Sequence, residues 1–342
     1  MVELDPRIVV WEYTLMCDSG CLHCGSDAKR ARFDELDSDE ALELVEKIDD
    51  IGFERIILSG GEPTLRSDWA KTAYEITEKG MELGIISNAL NWDDSTIDDL
   101  ERVSPFSVGF SVDGEEKTHD YLRGVDGSFE KVFENIRKVK DRGLATCAIT
   151  TVNSRNIDEL VALRNRMIIY SVDAWQLQTL SPMGKMKGNR DLVLSNDDYV
   201  RLAEFVCETR ERLPQMNVQA GDCIGYYGKL EGRLHDSSWA GCHAGIYGLG
   251  IESNGNVKGC LSMQADVAIE GNVRDDFLSD IWYDTTKFKY NRDFDVNSLN
   301  GECSGCDYGE KCRGGCQSQS LAFFDEFHNA PYCLSRIENG KK

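Results

Sequence analysis

The chain has 342 residues, 41% of them hydrophobic, enough to bury a real core as two domains or as one large domain with an extension. Its 60 acidic residues outnumber 38 basic ones, for a formal net charge of −22; that excludes nonspecific nucleic-acid binding, which needs Lys and Arg to displace counterions, and argues against anionic membrane surfaces. With no apolar run of about 18 residues and no signal-peptide start, the expectation is a cytoplasmic protein, whose thirteen cysteines point to metal rather than disulfides in a reducing compartment.

The first predicted strand, Ile8–Thr14, leads directly to Cys17, Cys21 and Cys24. Three thiolates at this spacing leave one iron of a four-iron cluster open, whereas electron-carrier clusters are usually closed by four cysteines. An open iron can bind a small molecule and pass it an electron. A zinc knuckle, which wants a fourth ligand, or free thiols are the alternatives. Ser38 is the expected N-cap of a helix running through Ile48. Strand two, Arg55–Ser59, ends in Gly60-Gly61-Glu62-Pro63. Paired glycines admit close backbone approach, and a carboxylate and free carbonyls accept hydrogen bonds from an ammonium group. A helix starting at Ser67 or Asp68 and ending at Gly80 follows.

Further strands are predicted at Met81–Ser87, Phe106–Ser111, Leu144–Val152 and Ala174–Leu180. A helix at Ser128–Asp141 places Phe129, Val132, Phe133, Ile136 and Val139 on one face and stops at Gly143. Strands and helices alternating in this way imply an α/β fold: a parallel sheet with helices outside, a partial (β/α)6 TIM-like barrel. Chemistry in such folds gathers at the C-terminal strand ends. Here those ends carry the cysteine triplet, residues 59–63, Ser87-Asn88, Ser111-Val112-Asp113, Thr151-Val152-Asn153, and Gln176 with Gln178.

The expected division is 1–190 for the barrel, 191–240 for a helical bridge built on Asn196–Leu213, and 241–342 for an irregular Gly- and Cys-rich extension. Asn254-Gly255 reads as a hairpin turn between Leu249–Glu252 and Asn256–Gly259. Residues 301–316 are mostly Cys, Gly and charge and cannot build an apolar core, so bound metal has to hold them. Cys147, in a strand pattern, and Cys207, in a helix pattern, read as core thiols.

The triplet, with His23 before its last cysteine, and Gly60–Pro63 resemble the radical SAM superfamily. Cys242-x12-Gly255-x4-Cys260, Cys303-x2-Cys306-x5-Cys312-x3-Cys316 and Cys333 resemble the SPASM extension. The resemblance covers nearly the whole chain and implies S-adenosylmethionine and three four-iron clusters. By it, Cys17, Cys21 and Cys24 hold the cluster whose open iron takes the cofactor, with His23 beside it. Gly60, Gly61, Glu62 and Pro63 hold the methionine amino group. Ser111 and Arg123 bind its carboxylate, arginine by its two-pronged fork. Ser87, Asn88 and Thr151 reach the ribose. Cys303, Cys306, Cys312 and Cys333 close one auxiliary cluster. Cys242, Cys260 and Cys316 hold the other, with Cys223 as candidate fourth ligand, or an open iron there. Two four-cysteine zinc sites are the alternative.

The chemistry implied is reductive cleavage of S-adenosylmethionine to a 5′-deoxyadenosyl radical that takes hydrogen from a substrate. An auxiliary cluster then accepts an electron and a base accepts a proton. Asp222 and Asp113 are the candidate bases, and Tyr226 and Tyr227 the candidate substrate-lining residues. The first expectation is a ribosomally made precursor peptide, oxidised or given a carbon–carbon or carbon–sulfur link, and recognised directly or through a separate leader-peptide-binding protein. Oxidation of a small molecule or tetrapyrrole intermediate, or sulfatase-type maturation, is the second. An iron–sulfur redox sensor or electron carrier is the third. A flavodoxin- or ferredoxin-type reductant and sensitivity to oxygen are expected for the enzyme readings.

Overall fold

The computed structural model describes residues 2–340. The strands in chain order are β1 (Ile8–Thr14), β2 (Arg55–Gly60), β3 (Glu82–Ser87), β4 (Ser107–Ser111), β5 (Thr146–Val152), β6 (Ala174–Thr179), β7 (Asn217–Ala220), β8 (Gly248–Ile251), β9 (Asn256–Lys258) and β10 (Ile269–Asn272). They form one sheet in the order β10-β9-β8-β1-β2-β3-β4-β5-β6-β7. From β1 to β7 every neighbour is parallel. The architecture is the partial TIM-like barrel expected from the alternating pattern, carrying an irregular C-terminal extension.

The connecting helices include α1 (Ser38–Ile51), α2 (Trp69–Glu78), α3 (Asp94–Val103), α4 (Glu116–Arg123), α5 (Ser128–Asp141), α6 (Leu160–Ile169) and α7 (Asn196–Arg212). Asp37, not Ser38, caps α1: its carboxylate accepts from the Asp39 and Glu40 amides, and the Glu40 side chain accepts from the Asp37 amide. The reciprocal box satisfies more of the helix's free N–H groups than a lone serine can. Ser38 instead donates to Asp68 at 2.5 Å.

Alternate strand residues pack against the helices. Val9, Trp11, Ile56, Leu58, Ile85, Phe110, Ala148 and Leu177 lie in one buried core with Leu44, Ile76, Leu100, Val132 and Leu163. The opposite face, the inner wall, is half-exposed. Ile8, Val10, Ile57, Ile86 and Ile149 make it apolar at depth, while Ser111, Thr151, Gln176 and Gln178 make it polar at the C-terminal mouth. Cys147 lies on this wall rather than in the core; Cys207 is fully buried on α7 as expected.

Two features of the C-terminal half were not anticipated. Residues 217–220, inside the expected helical bridge, form a strand parallel to β6. The predicted hairpin is present as β8–β9, and β8 pairs in parallel with β1, from Ile8↔Gly248 to Trp11↔Ile251. The extension therefore continues the barrel's own sheet. Gly250 permits this, since a Cβ there would lie 2.1 Å from the Leu261 amide, where the chain after Cys260 crosses the strand.

A buried ionic seam fastens the two parts. Glu12 on β1 accepts from Arg32 at 2.8 Å and from the Ser253 amide and hydroxyl at 3.2 and 3.0 Å, and the adjacent Glu252 pairs with the buried Lys258. Breaking such a pair from one side leaves an uncompensated charge in the interior. Arg32→Ala is expected to lower the unfolding free energy by about 3–5 kcal/mol in chemical denaturation. Adding Glu12→Gln to that variant is expected to recover much of the loss.

Candidate functional site

The loop after β1, carrying Cys17, Cys21 and Cys24, lies at the C-terminal mouth of the sheet and is fastened on every side. The Gly20 and Leu22 amides donate to the carbonyls of Arg123 and Leu122 at the end of α4, at 3.0 and 2.8 Å. The Glu62 amide donates to Met16 O at 2.8 Å and the Lys185 amide to Cys24 O at 3.1 Å. Asn88 Nδ2 donates to Asp18 Oδ1 at 2.7 Å and Ser19 Oγ at 3.0 Å, and stands 3.7 Å from Cys17 Sγ. A loop held this firmly presents its thiols in a fixed arrangement.

Gly60 and Gly61 make the contact between β2 and this loop. A Cβ at Gly60 would sit 2.3 Å from Thr14 O, and one at Gly61 would sit 2.1 Å from Met16 O. Gly60 also adopts φ +125°, a conformation L side chains rarely take. Pro63 opens a 3-10 turn, Pro63–Leu65, capped by Glu62.

Glu62 is fully committed inside the fold. Its carboxylate accepts from Ser87 Oγ at 2.9 Å, the Asn88 amide at 2.8 Å, Thr64 Oγ1 at 2.6 Å and the Thr64 amide at 3.2 Å. Burial pushes it up to about 7, against these donors, which favour the charged form. The expectation that Glu62 receives an ammonium group, and that Ser87 and Asn88 reach a ribose, meets side chains already engaged with one another. What the Gly60–Pro63 segment leaves for an amino group is its backbone carbonyls. Thr151 Oγ1 accepts from Gln178 at 3.2 Å. Ser111 is half-buried, and among the described residues its hydroxyl has no hydrogen-bond partner.

Asp113, one of the two candidate bases, is a correction. It is wholly buried, accepts from His23 Nε2 at 2.9 Å and the Thr151 amide at 2.8 Å, and pairs with Arg123. Burial pushes this carboxyl up, but Arg123 and His23 outweigh it and hold it well below the usual carboxylate range. Such a group has little proton affinity and no access to substrate. It anchors instead: His23 belongs to the cysteine loop, and Arg123 also donates toward Cys21 Sγ at 3.7 Å. His119 completes the anchor, accepting from the Asp113 amide at 3.1 Å, and burial lowers it to about 4, so the ring is neutral. Neither His119 nor the loop residue Asp18 carried a sequence signal.

The C-terminal cysteines influence one another in two neighbourhoods. Burial, with the charges of Cys333, Cys303 and Cys306 adding to it, raises Cys312 to about 12. Burial and then the charge of Cys242 together raise Cys260 to about 11. Cys316 is raised by burial, then by Cys242 and Cys223. Cys223 therefore lies near Cys316, and its Sγ accepts from the Thr179 amide at the end of β6 at 3.2 Å. Among the described residues no three His, Cys, Asp or Glu groups are drawn to single-ion distance. The thiols of each set stand near enough to oppose one another's ionisation.

Asp222 is exposed, and its charge reaches Cys223, Cys242 and Cys260. Tyr227 lines a surface depression with Trp239, Glu310 and Arg313. Tyr226 is buried between the two thiol sets, and Tyr227 stacks on Tyr308 at 4.7 Å.

The donor sets suit the groups the motifs imply. Three loop thiols stand with two unpartnered buried nitrogens, His23 Nδ1 and Arg123 Nε, beside them. That offers soft sulfur ligands in one place with the Arg123 Nε–H as a spare hydrogen-bond donor.

Residues 11–167 match the radical SAM superfamily model, and residues 242–307 match SPASM, an iron–sulfur cluster-binding domain. The chain is 27% identical to an AdoMet-dependent heme synthase of Methanosarcina barkeri, with 98% of each protein covered. It is 25% identical to the mycofactocin maturase MftC of Mycobacterium tuberculosis, over 92% of this chain and 78% of that one. In fold it is similar to Streptococcus suis SuiB bound to its precursor peptide SuiA, with TM-score 0.77 at 19% identity, covering 97% of this chain and 75% of that one.

Two outcomes follow from the buried carboxylates. Asp113→Asn strands Arg123 and is expected to lower stability by about 3 kcal/mol, measured by denaturant unfolding. Glu62, raised from 4.5 to about 7, supports the fold below pH 4.5 and withdraws that support as pH climbs to about 7. Thermal unfolding of Glu62→Gln should show a flatter dependence on pH across that window than the parent.

Proposed function

We propose that this chain, a radical SAM enzyme with a SPASM extension, oxidises a tetrapyrrole side chain. The observation that carries the reading is the set of relatives matched along nearly their whole length. Besides the Methanosarcina heme synthase, they include an Fe-coproporphyrin III synthase of the same organism, 25% identical over 97% of this chain and 89% of that one. The half-exposed inner wall, apolar at depth and polar at the mouth, suits a flat apolar ring with polar substituents. A precursor peptide is the second reading, supported by the relationship to MftC.

When bound, the first cluster and S-adenosylmethionine supply a carbon radical able to take a hydrogen atom, and the auxiliary clusters supply an electron acceptor. The chain's residues would do the holding. Cys17, Cys21 and Cys24 bind the first cluster. The carbonyls of the Gly60–Pro63 segment receive the amino group, and Ser111 with the free Nε of Arg123 receives the carboxylate. His23 and Asp113 keep the loop in place. Cys303, Cys306, Cys312 and Cys333 bind the outer auxiliary cluster; Cys242, Cys260, Cys316 and Cys223 bind the inner one. Asp222, exposed beside the inner set, takes the proton that substrate oxidation releases.

The reconstituted, reduced enzyme incubated with S-adenosylmethionine and iron coproporphyrin III is expected to yield 5′-deoxyadenosine together with a tetrapyrrole of lower mass. Deoxyadenosine without any change in the tetrapyrrole would turn the reading toward a peptide. For the ligand assignment, the parent is expected to hold about twelve irons per chain. Cys223→Ala should bind less iron, and Cys207→Ala should match the parent.

A further inference from the structure

Tyr226 is the side chain the sequence placed at the substrate and the fold places elsewhere. It is 3% exposed and packs in a small core with Trp239, Cys242 and Cys312, against which Cys260, Cys303, Cys316 and Cys333 also pack. Its phenol oxygen accepts from the Cys316 amide at 3.0 Å and donates to the Asp222 carbonyl at 2.6 Å. Its own carbonyl lies 3.6 Å from Cys333 Sγ. One residue thus touches a cysteine of the inner set through its side chain and a cysteine of the outer set through its backbone.

The conformation is an unusual one. Tyr226 and Tyr227 have φ +76° and +56°, two consecutive non-glycine residues in the left-handed region. Strain of this kind persists where the surroundings over-determine it, and it tends to gather at functional positions. The Glu231 carboxylate holds both amides, at 3.1 and 3.2 Å, and the Trp239 ring packs edge-on at 5.1 Å.

Hydrogen bonds to sulfur and access of solvent are the protein's main controls on a cluster's reduction potential. A backbone amide next to a ligating cysteine ordinarily supplies such a bond. Here the Cys316 amide is turned to the phenol, and the buried ring excludes water. We propose that Tyr226 is a positioning residue that sets the reduction potential of the inner auxiliary cluster by withholding the Cys316 amide from its sulfur. The proposal rests on the two-set assignment of the cysteines. The outer set packs against the Tyr226 ring and lies near its carbonyl, but the phenol takes its amide hydrogen bond from the inner set alone, so freeing that amide acts on the inner cluster.

The test is an EPR-monitored redox titration of the reconstituted full chain, comparing the parent with Tyr226→Phe. Phenylalanine keeps the ring and frees the Cys316 amide. The expected result is a higher potential for one auxiliary cluster, an unchanged potential for the other, and the parent's iron content. Tyr226→Leu, which also opens the site to water, should move the same cluster further. Unchanged potentials in Tyr226→Phe, or equal shifts in both clusters, overturn the proposal. A parent holding only about four irons per chain overturns the two-set assignment instead, and the proposal with it.

Discussion

The mouth of this barrel depends on one buried carboxylate. Asp113, at the end of β4, binds His23 of the cysteine loop, Arg123 of α4 and the amide of Thr151 on β5. Three segments far apart in the chain converge on two oxygens. A lone buried charge would be prohibitive, and a paired one is tolerated only with its hydrogen bonds complete. That requirement gives the loop a single position. Glu62 acts from the other side in the same way, drawing Ser87, Asn88 and Thr64 together while Asn88 reaches on to Asp18 and Ser19. Three thiols on a glycine-containing loop could otherwise adopt many arrangements.

The extension obeys a different constraint. Its cysteine-rich segments carry little apolar material, yet they must be held at a fixed place relative to the barrel. The fold solves this by sheet continuation: β8 adds to β1 in parallel, and the Glu12–Arg32–Ser253 cluster sits over the junction. At the other edge β7 adds to β6, and the chain then turns through Cys223 to Tyr226. The inner thiol set is therefore assembled from both edges of the sheet. Its members are Cys223 from beyond β7, Cys242 and Cys260 from either side of β8–β9, and Cys316 from the tail. An acceptor held there would have its distance to the barrel mouth fixed by the sheet itself.

Much of this was legible in the residues. The strands of the barrel follow from short β-prone runs alternating with amphipathic stretches, and Ile8–Thr14, Ala174–Thr179 and Ser128–Asp141 lie where the pattern puts them. The cysteine triplet on its one short loop is legible from spacing, whereas the division of the C-terminal cysteines into two sets came from the resemblance to the SPASM extension. β8 is different: Gly-Leu-Gly-Ile reads as half a hairpin, and nothing local says that its free edge meets β1. Ser38 misled because a serine is a good cap by itself, while Asp37 gains from a partner three residues on.

What the sequence by itself determined is therefore the inventory: an α/β barrel, three groups of cysteines, and the cofactor class those groups serve. Only the tertiary structure decided which side chains remain available. Asp113 and Glu62 are carboxylates suited by type to take a proton or bind an ammonium group, but one is locked to Arg123 and His23 and the other to four donors. Tyr226 looked like a substrate contact and is a buried bridge between thiol sets. The reason is physical. Burial and competition for hydrogen-bond donors arise between residues tens to hundreds of positions apart, and neither spacing nor composition carries that information.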